Sequence, residues 1–359
     1  MGTNETEKWR VPVRIDFAGG TLDLWPIYAL MGGGCTVNAA VDLWIELDAS
    51  FGGQGHRIES RDLGISSELS KWPDEAPDRG PGFARPRGGG FRGGRSEQSE
   101  QAVPPGFKTG LSWVWRVLNT AARRPSFLRI QSPVPKGSGL GVSSCLGVGL
   151  LGLAMGLEAG GELAAQVPLL RDLEAQELQT PTGLQDYYPA ALGGCLALHW
   201  GPQPSWDRLT PHAELLEDLL VFYTGQPHHS GQTNWEAYKR FIEGDPVTRQ
   251  ALGEIAAIAE VMALALPSDP QAVGDLLERE GAARIRLSPA VETEAMRAVR
   301  DRGHREGWFQ GMKPCGAGGG GCCILVVKKG RREAAQAALA AMDLPVLETA
   351  ITNLGLHRA

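Results

Sequence analysis

What this sequence has little of narrows the field first. No uninterrupted apolar stretch reaches the roughly 20 residues needed to cross a bilayer, so no membrane partner is expected. The opening residues, Met1-Gly-Thr-Asn-Glu-Thr-Glu-Lys8, lack the basic-then-apolar order of a secretion signal, and a cytoplasmic location is the expectation. Basic excess is also missing. Lys and Arg number 35 against 41 Asp and Glu, a formal net charge of -6, which argues against the cationic footprint of a general nucleic-acid binder. The expected partner is a small-molecule substrate and no nucleic acid, with self-association as a homodimer left open. Cysteine is scarce, and Cys35, Cys145, Cys195, Cys315, Cys322 and Cys323 form no Cys-x-x-Cys pair. They read as buried, reduced thiols. Cys322 and Cys323 are adjacent on a candidate strand, where neighbours point to opposite faces, which speaks against a redox pair. His228 and His229 have no acidic or cysteine partner at metal-ligand spacing and read as a polar loop.

Glycine, by contrast, is abundant: 48 of 359 residues. The most informative cluster is Pro135-Lys-Gly-Ser-Gly-Leu-Gly-Val-Ser-Ser144, which leads into the apolar stretch Cys145–Leu157. Glycines at alternate positions allow tight turns and let amides approach an anion without an intervening Cβ. A buried helix beginning at the loop's end aims free N–H groups and a positive dipole end into it. Two familiar nucleotide motifs are excluded by spacing. Lys136 precedes the glycines, so the loop is not a Walker A motif, and Val142 breaks the dinucleotide fingerprint. On its own such a loop reads first as a glycine-rich turn connecting a strand to a helix.

The rest of the chain mixes strand and helix patterns in both halves, which indicates an α+β or mixed α/β enzyme. Strands are expected at Trp9–Asp16, Val37–Asp48, Leu128–Gln131, Leu219–Thr224 and Cys322–Val327, and helices at Leu24–Met31, Thr109–Ala122, Thr248–Leu266, Val291–Arg302 and Arg331–Met342. Within the Thr109–Ala122 helix, Trp113 and Trp115 lie two apart and hence on different sides, which favours core packing over a base-stacking platform. Composition shifts sharply over Pro73–Gly106, where an Arg/Gly-rich run has almost nothing to bury. Its five arginines are nearly balanced by Glu75, Asp78, Glu97 and Glu100, so a mobile surface insertion is expected here, in preference to an RNA-binding segment.

Three further segments carry chemistry. Arg14-Ile-Asp-Phe-Ala-Gly-Gly-Thr-Leu-Asp23 places a cation, paired glycines and an acid at a strand's exit. Gln179-Thr-Pro-Thr-Gly-Leu-Gln-Asp186 puts a carboxylate in a turn after Glu174 and Glu177. Lys313-Pro-Cys-Gly-Ala-Gly-Gly-Gly-Gly-Cys-Cys enters a strand, which disfavours a dinucleotide reading and suits a required close approach of backbones.

Together and in this order, these segments resemble the GHMP family of small-molecule kinases, which includes galactokinase, homoserine kinase, mevalonate kinase and phosphomevalonate kinase. Within it they look most like the D-glycero-D-manno-heptose 7-phosphate kinase and fucokinase branch, through Arg10-x-Pro12-x-Arg14-Ile15-x-Phe17-Ala18-Gly19-Gly20 and Pro181-Thr182-Gly183-x-Gln185-Asp186. The resemblance implies a two-lobed fold, with an N-terminal lobe of the ribosomal protein S5 domain 2-like type over residues 1–200, interrupted by an insertion at about 74–105, and a ferredoxin-like C-terminal lobe over residues 201–359. It implies an ATP-dependent, magnesium-assisted kinase acting on a hydroxyl of a sugar or sugar phosphate. Lys136, Gly137, Ser138, Gly139, Leu140, Gly141, Val142, Ser143 and Ser144 would wrap the ATP phosphates. Ser143 and Glu177 would hold magnesium, with Glu174 the alternative acid.

Asp186 matches the family's catalytic aspartate, and Arg14 stands where a cation would steady the transferring phosphoryl group. Asp186 also reads, by itself, as a turn-capping residue. The acceptor would be met by Asp23, Gly19, Gly20, Gly183, Gly318 and Gly319. Thr224–Asn234 is expected to close over it. Leu22 stands where the branch has a small polar residue, which suggests a different acceptor and keeps a non-sugar alcohol such as mevalonate, or a non-catalytic binder, in view. Tyr187 and Tyr188 fit equally a sugar-stacking surface and the filling of the lobe interface.

Overall fold

A computed structural model describes residues 6–73, 107–227 and 230–359. The Arg/Gly-rich insertion expected at about 74–105 lies outside the described residues, as do His228 and His229 within the loop expected to close over the acceptor.

The chain begins with strand β1 (Glu7–Ala18), where Val11, Val13, Ile15 and Phe17 are fully buried. After helix α1 (Ile27–Met31), β2 (Gly34–Ser50) returns antiparallel along its whole length, pairing Glu7 with Ala49 and Ala18 with Val37. Being 17 residues long, β2 serves two sets of neighbours: its first part pairs β6 (Cys195–Trp200) and its last part β5 (Phe127–Gln131). Strands β3 (His56–Ser60), β4 (Ile65–Leu69) and β7 (Ser205–Leu209) extend the sheet, and β12 (His357–Arg358) closes its other edge on β1.

Helix α2 (Ser112–Leu118) and helix α3 (Val142–Met155) cover this sheet, together with α4 (Gly161–Ala164), α5 (Val167–Leu178) and α6 (Tyr187–Leu192). Helix α3 is apolar all round because it is buried all round. Its glycines mark where neighbours press in: a Cβ at Gly149 would meet Val11 and Leu47 at 2.9 and 3.0 Å, and one at Gly147 would meet the Trp113 ring at 2.7 Å. Trp113 and Trp115 are both core residues, as their spacing suggests.

The second sheet is antiparallel, in the order β11 (Val346–Leu347), β8 (Leu219–Tyr223), β10 (Cys322–Val327), β9 (Phe309–Pro314). Helices α7 (Ala213–Asp218), α8 (Ser230–Ile242), α9 (Pro246–Ala265), α10 (Pro270–Leu287), α11 (Glu294–Glu306) and α12 (Arg332–Ala340) belong to this half. Every residue of β10 is buried, because both faces of the sheet are covered. Strand alternation then divides them: Cys322, Ile324 and Val326 join the main core, whereas Cys323, Leu325 and Val327 join a smaller core under α11 and α12. All six cysteines are free and buried. The architecture is the expected mixed α/β one.

Helix α10 crosses β9 unusually closely. A Cβ on Gly311 would lie 1.8 Å from the carbonyl oxygen of Gly274, a backbone-on-backbone contact with no flexible atom to yield. Gly311→Ala is therefore expected to cost at least about 2 kcal/mol through forced separation of helix and strand. Equilibrium urea unfolding measures it, and an unchanged midpoint would show that the contact is slack.

Candidate active site

Four segments converge at the exit of β1. The loop Pro135–Ser144 is shaped by Gly137, Gly139 and Gly141, at φ 80, 77 and 71°, left-handed values that other residues seldom adopt. Gly141 is also the N-cap of α3 and provides no side-chain cap, so the first-turn amides of this 14-residue helix point into the loop without an intrahelical partner. That is an anion-binding arrangement, and it fits nucleotide phosphates. Along the loop, Lys136 and Ser143 are exposed, while Ser138, Leu140 and Ser144 are buried. Ser138 acts through its carbonyl, which accepts the Cys322 amide at 2.6 Å and so ties the loop to the start of β10.

Arg14 projects from β1 into the middle of this assembly. Its Nη1 donates to the carbonyls of Gly139 at 2.5 Å and Cys315 at 2.9 Å, and its Nε donates to Asp186 Oδ1 at 2.9 Å. Nη2 lies 2.8 Å from that same oxygen. Burial alone would lower the guanidinium's pKa, but the Asp186 charge and hydrogen bond raise it above the ordinary value. A Cβ at Gly141 would sit 3.3 Å from Arg14 Cγ and Nε, so glycine is what lets the loop lie across the arginine. Asp186, at the N-cap of α6, keeps its side chain 27% exposed. With its donors engaged by the protein, Arg14 is positioned to hold Asp186 and two loops in place.

The acids on α5 part company. Glu177, expected as the metal ligand, accepts from the Ser112 hydroxyl and from Arg116 Nε at 2.8 Å, facing α2 and not the loop. Glu174, one helical turn earlier, is the acid that meets the loop. It accepts from Ser144 Oγ at 2.9 Å, from the Tyr187 hydroxyl and from Ser143. Burial pushes its pKa up, and these hydrogen bonds offset only part of that. The donor set at the loop's end is therefore Ser143 with Glu174, a hard-oxygen pair that suits magnesium. Residues i and i+3 on a helix are neighbours, so sequence spacing alone did not separate the two acids.

On the acceptor side, Asp23 is buried and accepts the Gln185 amide at 2.9 Å. Its pKa is pushed up to about 6 by burial, against the Gln185 hydrogen bond and with help from the Asp186 charge. Gly183 makes room for it, since a Cβ there would fall 1.8 Å from Asp23 Oδ2. Gly20 faces Arg284, Asp16 and Gln185, with its would-be Cβ 2.3, 2.8 and 3.0 Å from their polar ends. Gly19, however, packs on the β2 backbone, 2.0 Å from the Cys35 carbonyl by the same measure. Gly318 and Gly319 press against Val291 and Ala290; it is Gly321 that meets the loop, where a Cβ would lie 2.8 Å from the Ser138 carbonyl oxygen.

Leu22 is fully buried in the main core, so the departure at that position lies inside the lobe and not beside an acceptor. Tyr187 and Tyr188 are likewise interior: the first is bound to Glu174 and the second packs against Trp200 and Trp206. Neither offers a ring to a sugar. Sequence reasoning missed a buried charge cluster directly behind the site. Lys313 Nζ lies 3.0 Å from Asp16 Oδ2 and 3.5 Å from Glu280 Oε2, and Arg284 Nε donates to Glu280 at 2.9 Å. The signal available was the Glu280/Arg284 pair, four apart and so on one face of the helix.

The chain matches the family description "GHMP kinases N terminal domain" over residues 111–194 and "GHMP kinases C terminal" over residues 255–343. Among solved structures it resembles a D-glycero-D-manno-heptose 1-phosphate kinase from Bacteriodes thetaiotaomicron, at 18% identity and a TM-score of 0.70, covering 99% of each chain. It also resembles Lactococcus lactis galactokinase complexed with galactose, at 16% identity and TM-score 0.70, covering 99% of this chain and 96% of that one. A third is Streptococcus pneumoniae phosphomevalonate kinase in complex with phosphomevalonate and AMPPNP, at 14% identity and TM-score 0.67, covering 98% and 99%. At such identities the likeness is one of fold. No curated protein matches the chain by sequence. Two family domains in order, each contributing a segment to one site around Arg14, place the chain in the GHMP kinases.

Proposed function

We propose that this kinase transfers the γ-phosphoryl group of ATP to a hydroxyl of a sugar or sugar phosphate, in the groove between residues 1–200 and 201–359. The observation that carries this reading is the Arg14–Asp186 pair standing at the uncapped start of α3. Both guanidinium contacts fall on Asp186 Oδ1, which turns the carboxylate's other oxygen toward an incoming hydroxyl. Asp186 then accepts the hydroxyl proton, or orients the nucleophile, as the oxygen attacks phosphorus. Arg14 is a positioning residue in this scheme.

The loop amides and the α3 dipole end hold the phosphates and take up charge as it develops on them. Ser143 and Glu174 would hold magnesium, which when bound supplies neutralisation of the β- and γ-phosphate oxygens. The core position of Leu22 removes the feature that favoured an isoprenoid acceptor. Retention of a buried, paired Arg14–Asp186 constellation favours a working enzyme over a non-catalytic binder.

Asp186→Asn is expected to lower kcat by about 10²- to 10⁴-fold, with ATP binding retained. The check is ADP release over a panel of sugars and sugar phosphates, and undiminished turnover in the variant would put the chemistry elsewhere. Glu174→Gln is expected to raise the magnesium concentration needed for half-maximal rate about tenfold, whereas Glu177→Gln should leave that requirement unmoved. The reverse ranking in a magnesium titration would return the ligand role to Glu177.

Asp23 predicts a pH effect on stability. Its folded-state pKa of about 6 exceeds the unfolded carboxylate value, so between about pH 4 and pH 6 the folded chain keeps a proton that the unfolded chain has released. Stability therefore falls across that window as pH rises, by about 3 kcal/mol from this group. Urea unfolding of wild type and Asp23→Asn at pH 4, 5, 6 and 7 should show the variant gaining relative to wild type as pH rises. Parallel curves would show that Asp23 is solvated.

A further inference from the structure

Glu174 is a buried carboxylate whose charge the protein leaves unanswered. Among the described residues it meets the hydroxyls of Ser143, Ser144 and Tyr187 and no cation, whereas Glu177 on the same helix has Arg116. A carboxylate buried in this way is costly until a positive charge completes it. Two of its three donors belong to the phosphate loop. Tyr187 does not, and packing alone does not account for where its hydroxyl goes.

Tyr187 is fully buried at the start of α6, immediately after Asp186. Successive residues of a helix diverge by about 100° around its axis, so these neighbours are aimed apart. Asp186 goes to Arg14 and Tyr187 to α5. There the phenol has two acceptors one helical turn apart, the Leu170 carbonyl at 3.4 Å and, closer, Glu174 Oε2. It carries one hydrogen, and the nearer, charged acceptor takes it. Ser144 Oγ donates to the same Oε2 at 2.9 Å. Two donors on one oxygen fix the rotation of the carboxylate and leave Oε1 as the oxygen that neither engages.

Taking the chain as a magnesium-assisted kinase with Glu174 as the metal acid, we propose that Tyr187 is a positioning residue for the metal. Its hydroxyl, with that of Ser144, holds Glu174 by Oε2 and keeps Oε1 available to a magnesium ion shared with Ser143. Outer partners of this kind are worth about 10- to 100-fold in metal affinity. Because Tyr187 and Asp186 are consecutive, one peptide unit also sets the distance between the metal acid's support and the carboxylate that meets the acceptor hydroxyl.

The test reads metal binding apart from turnover. Manganese(II), a paramagnetic stand-in for magnesium, is titrated into the full chain with a non-hydrolysable ATP analogue held below the protein concentration, and free ion is followed by electron paramagnetic resonance. Wild type, Tyr187→Phe and Glu174→Gln are compared. Tyr187→Phe keeps the ring and removes only the donor, so its manganese Kd is expected to rise about tenfold while the metal-free affinity for the analogue stays at wild type. In an ADP-release assay the same variant should need about tenfold more magnesium for half-maximal rate, recover its kcat at saturating magnesium and keep its acceptor KM. A merely structural tyrosine would displace α6 and Asp186 with it, and the lost rate would not return. Where Tyr187→Phe does not fold, 3-fluorotyrosine in place of Tyr187 keeps the hydroxyl, and its fluorine resonance should shift when magnesium is added to the nucleotide-bound chain.

Weakened manganese binding in Glu174→Gln beside wild-type binding in Tyr187→Phe would overturn the positioning role and leave Glu174 as the metal acid. Wild-type binding in Glu174→Gln would remove the metal from Glu174 and the role of Tyr187 with it. Tyr187-dependent metal binding by a chain that phosphorylates no acceptor would uphold the role and overturn the kinase reading. A kcat loss in Tyr187→Phe that excess magnesium does not recover, or a fluorine resonance unmoved by magnesium, would equally overturn the role.

Discussion

The arrangement depends on one guanidinium. Arg14 reaches from the first strand to the carbonyl of Gly139 in the phosphate loop, the carbonyl of Cys315 in the second half, and the carboxylate of Asp186 before α6. These groups lie 125, 301 and 172 residues along the chain from Arg14. Arginine suits the role because its planar fork presents donors in fixed directions and stays charged when buried. A lysine would offer a point charge but could not hold two carbonyls and a carboxylate in one plane. The glycine at 141 is the complementary requirement, since only a residue without a side chain lets the loop cross the arginine so closely.

Behind that hub sits a second set of charges with a different task. Asp16 comes from the first sheet, Lys313 from the second, and Glu280 and Arg284 from the helix between them. Two acids and two bases, all nearly inaccessible, carry a desolvation cost that ion pairing only roughly repays. Their value lies in geometry. An apolar contact tolerates sliding, whereas a buried charge that loses its partner is heavily penalised, so the halves are held in one register. Lys313 also donates to the Asp16 carbonyl at 2.9 Å, fixing backbone as well as side chain.

How much of this was legible follows from where the information resides. Local patterns were readable: the loop Pro135–Ser144, the apolar α3, the alternation of β10 and the order of the glycine segments all appear where spacing put them. Arg14 and Asp186, both drawn to the site by motif position, do stand in contact there. What failed were choices between near-equivalent neighbours. Glu174 and Glu177 differ by one helical turn, and only the position of Arg116 on another helix decides which is sequestered. Gly318, Gly319 and Gly321 are interchangeable letters in a run, yet only the last meets the phosphate loop. Leu22 reads beside an acceptor by motif position and is instead core, and Tyr187 and Tyr188, for which sugar stacking and interior filling are equally open in the sequence, are interior, because burial is decided by elements distant in sequence. Helix α10 escaped notice altogether, its apolar stripe diluted by the very charges that make it important.

The closing stretch of the chain has a bearing on how this molecule is made. Asp42 and Ala40 exchange backbone hydrogen bonds with Ala350 and Thr352, Leu356 is fully buried against the first lobe, and His357 and Arg358 pair with β1. The first sheet therefore lacks an edge strand, and α3 lacks the leucine that fills the hollow at Gly152, until residues 356–358 have been made. During synthesis the opening lobe must wait, partly open at one edge, through the translation of the entire second half. The first lobe is thus completed only by residues 350–358, and β1 presents an unpaired edge until they arrive.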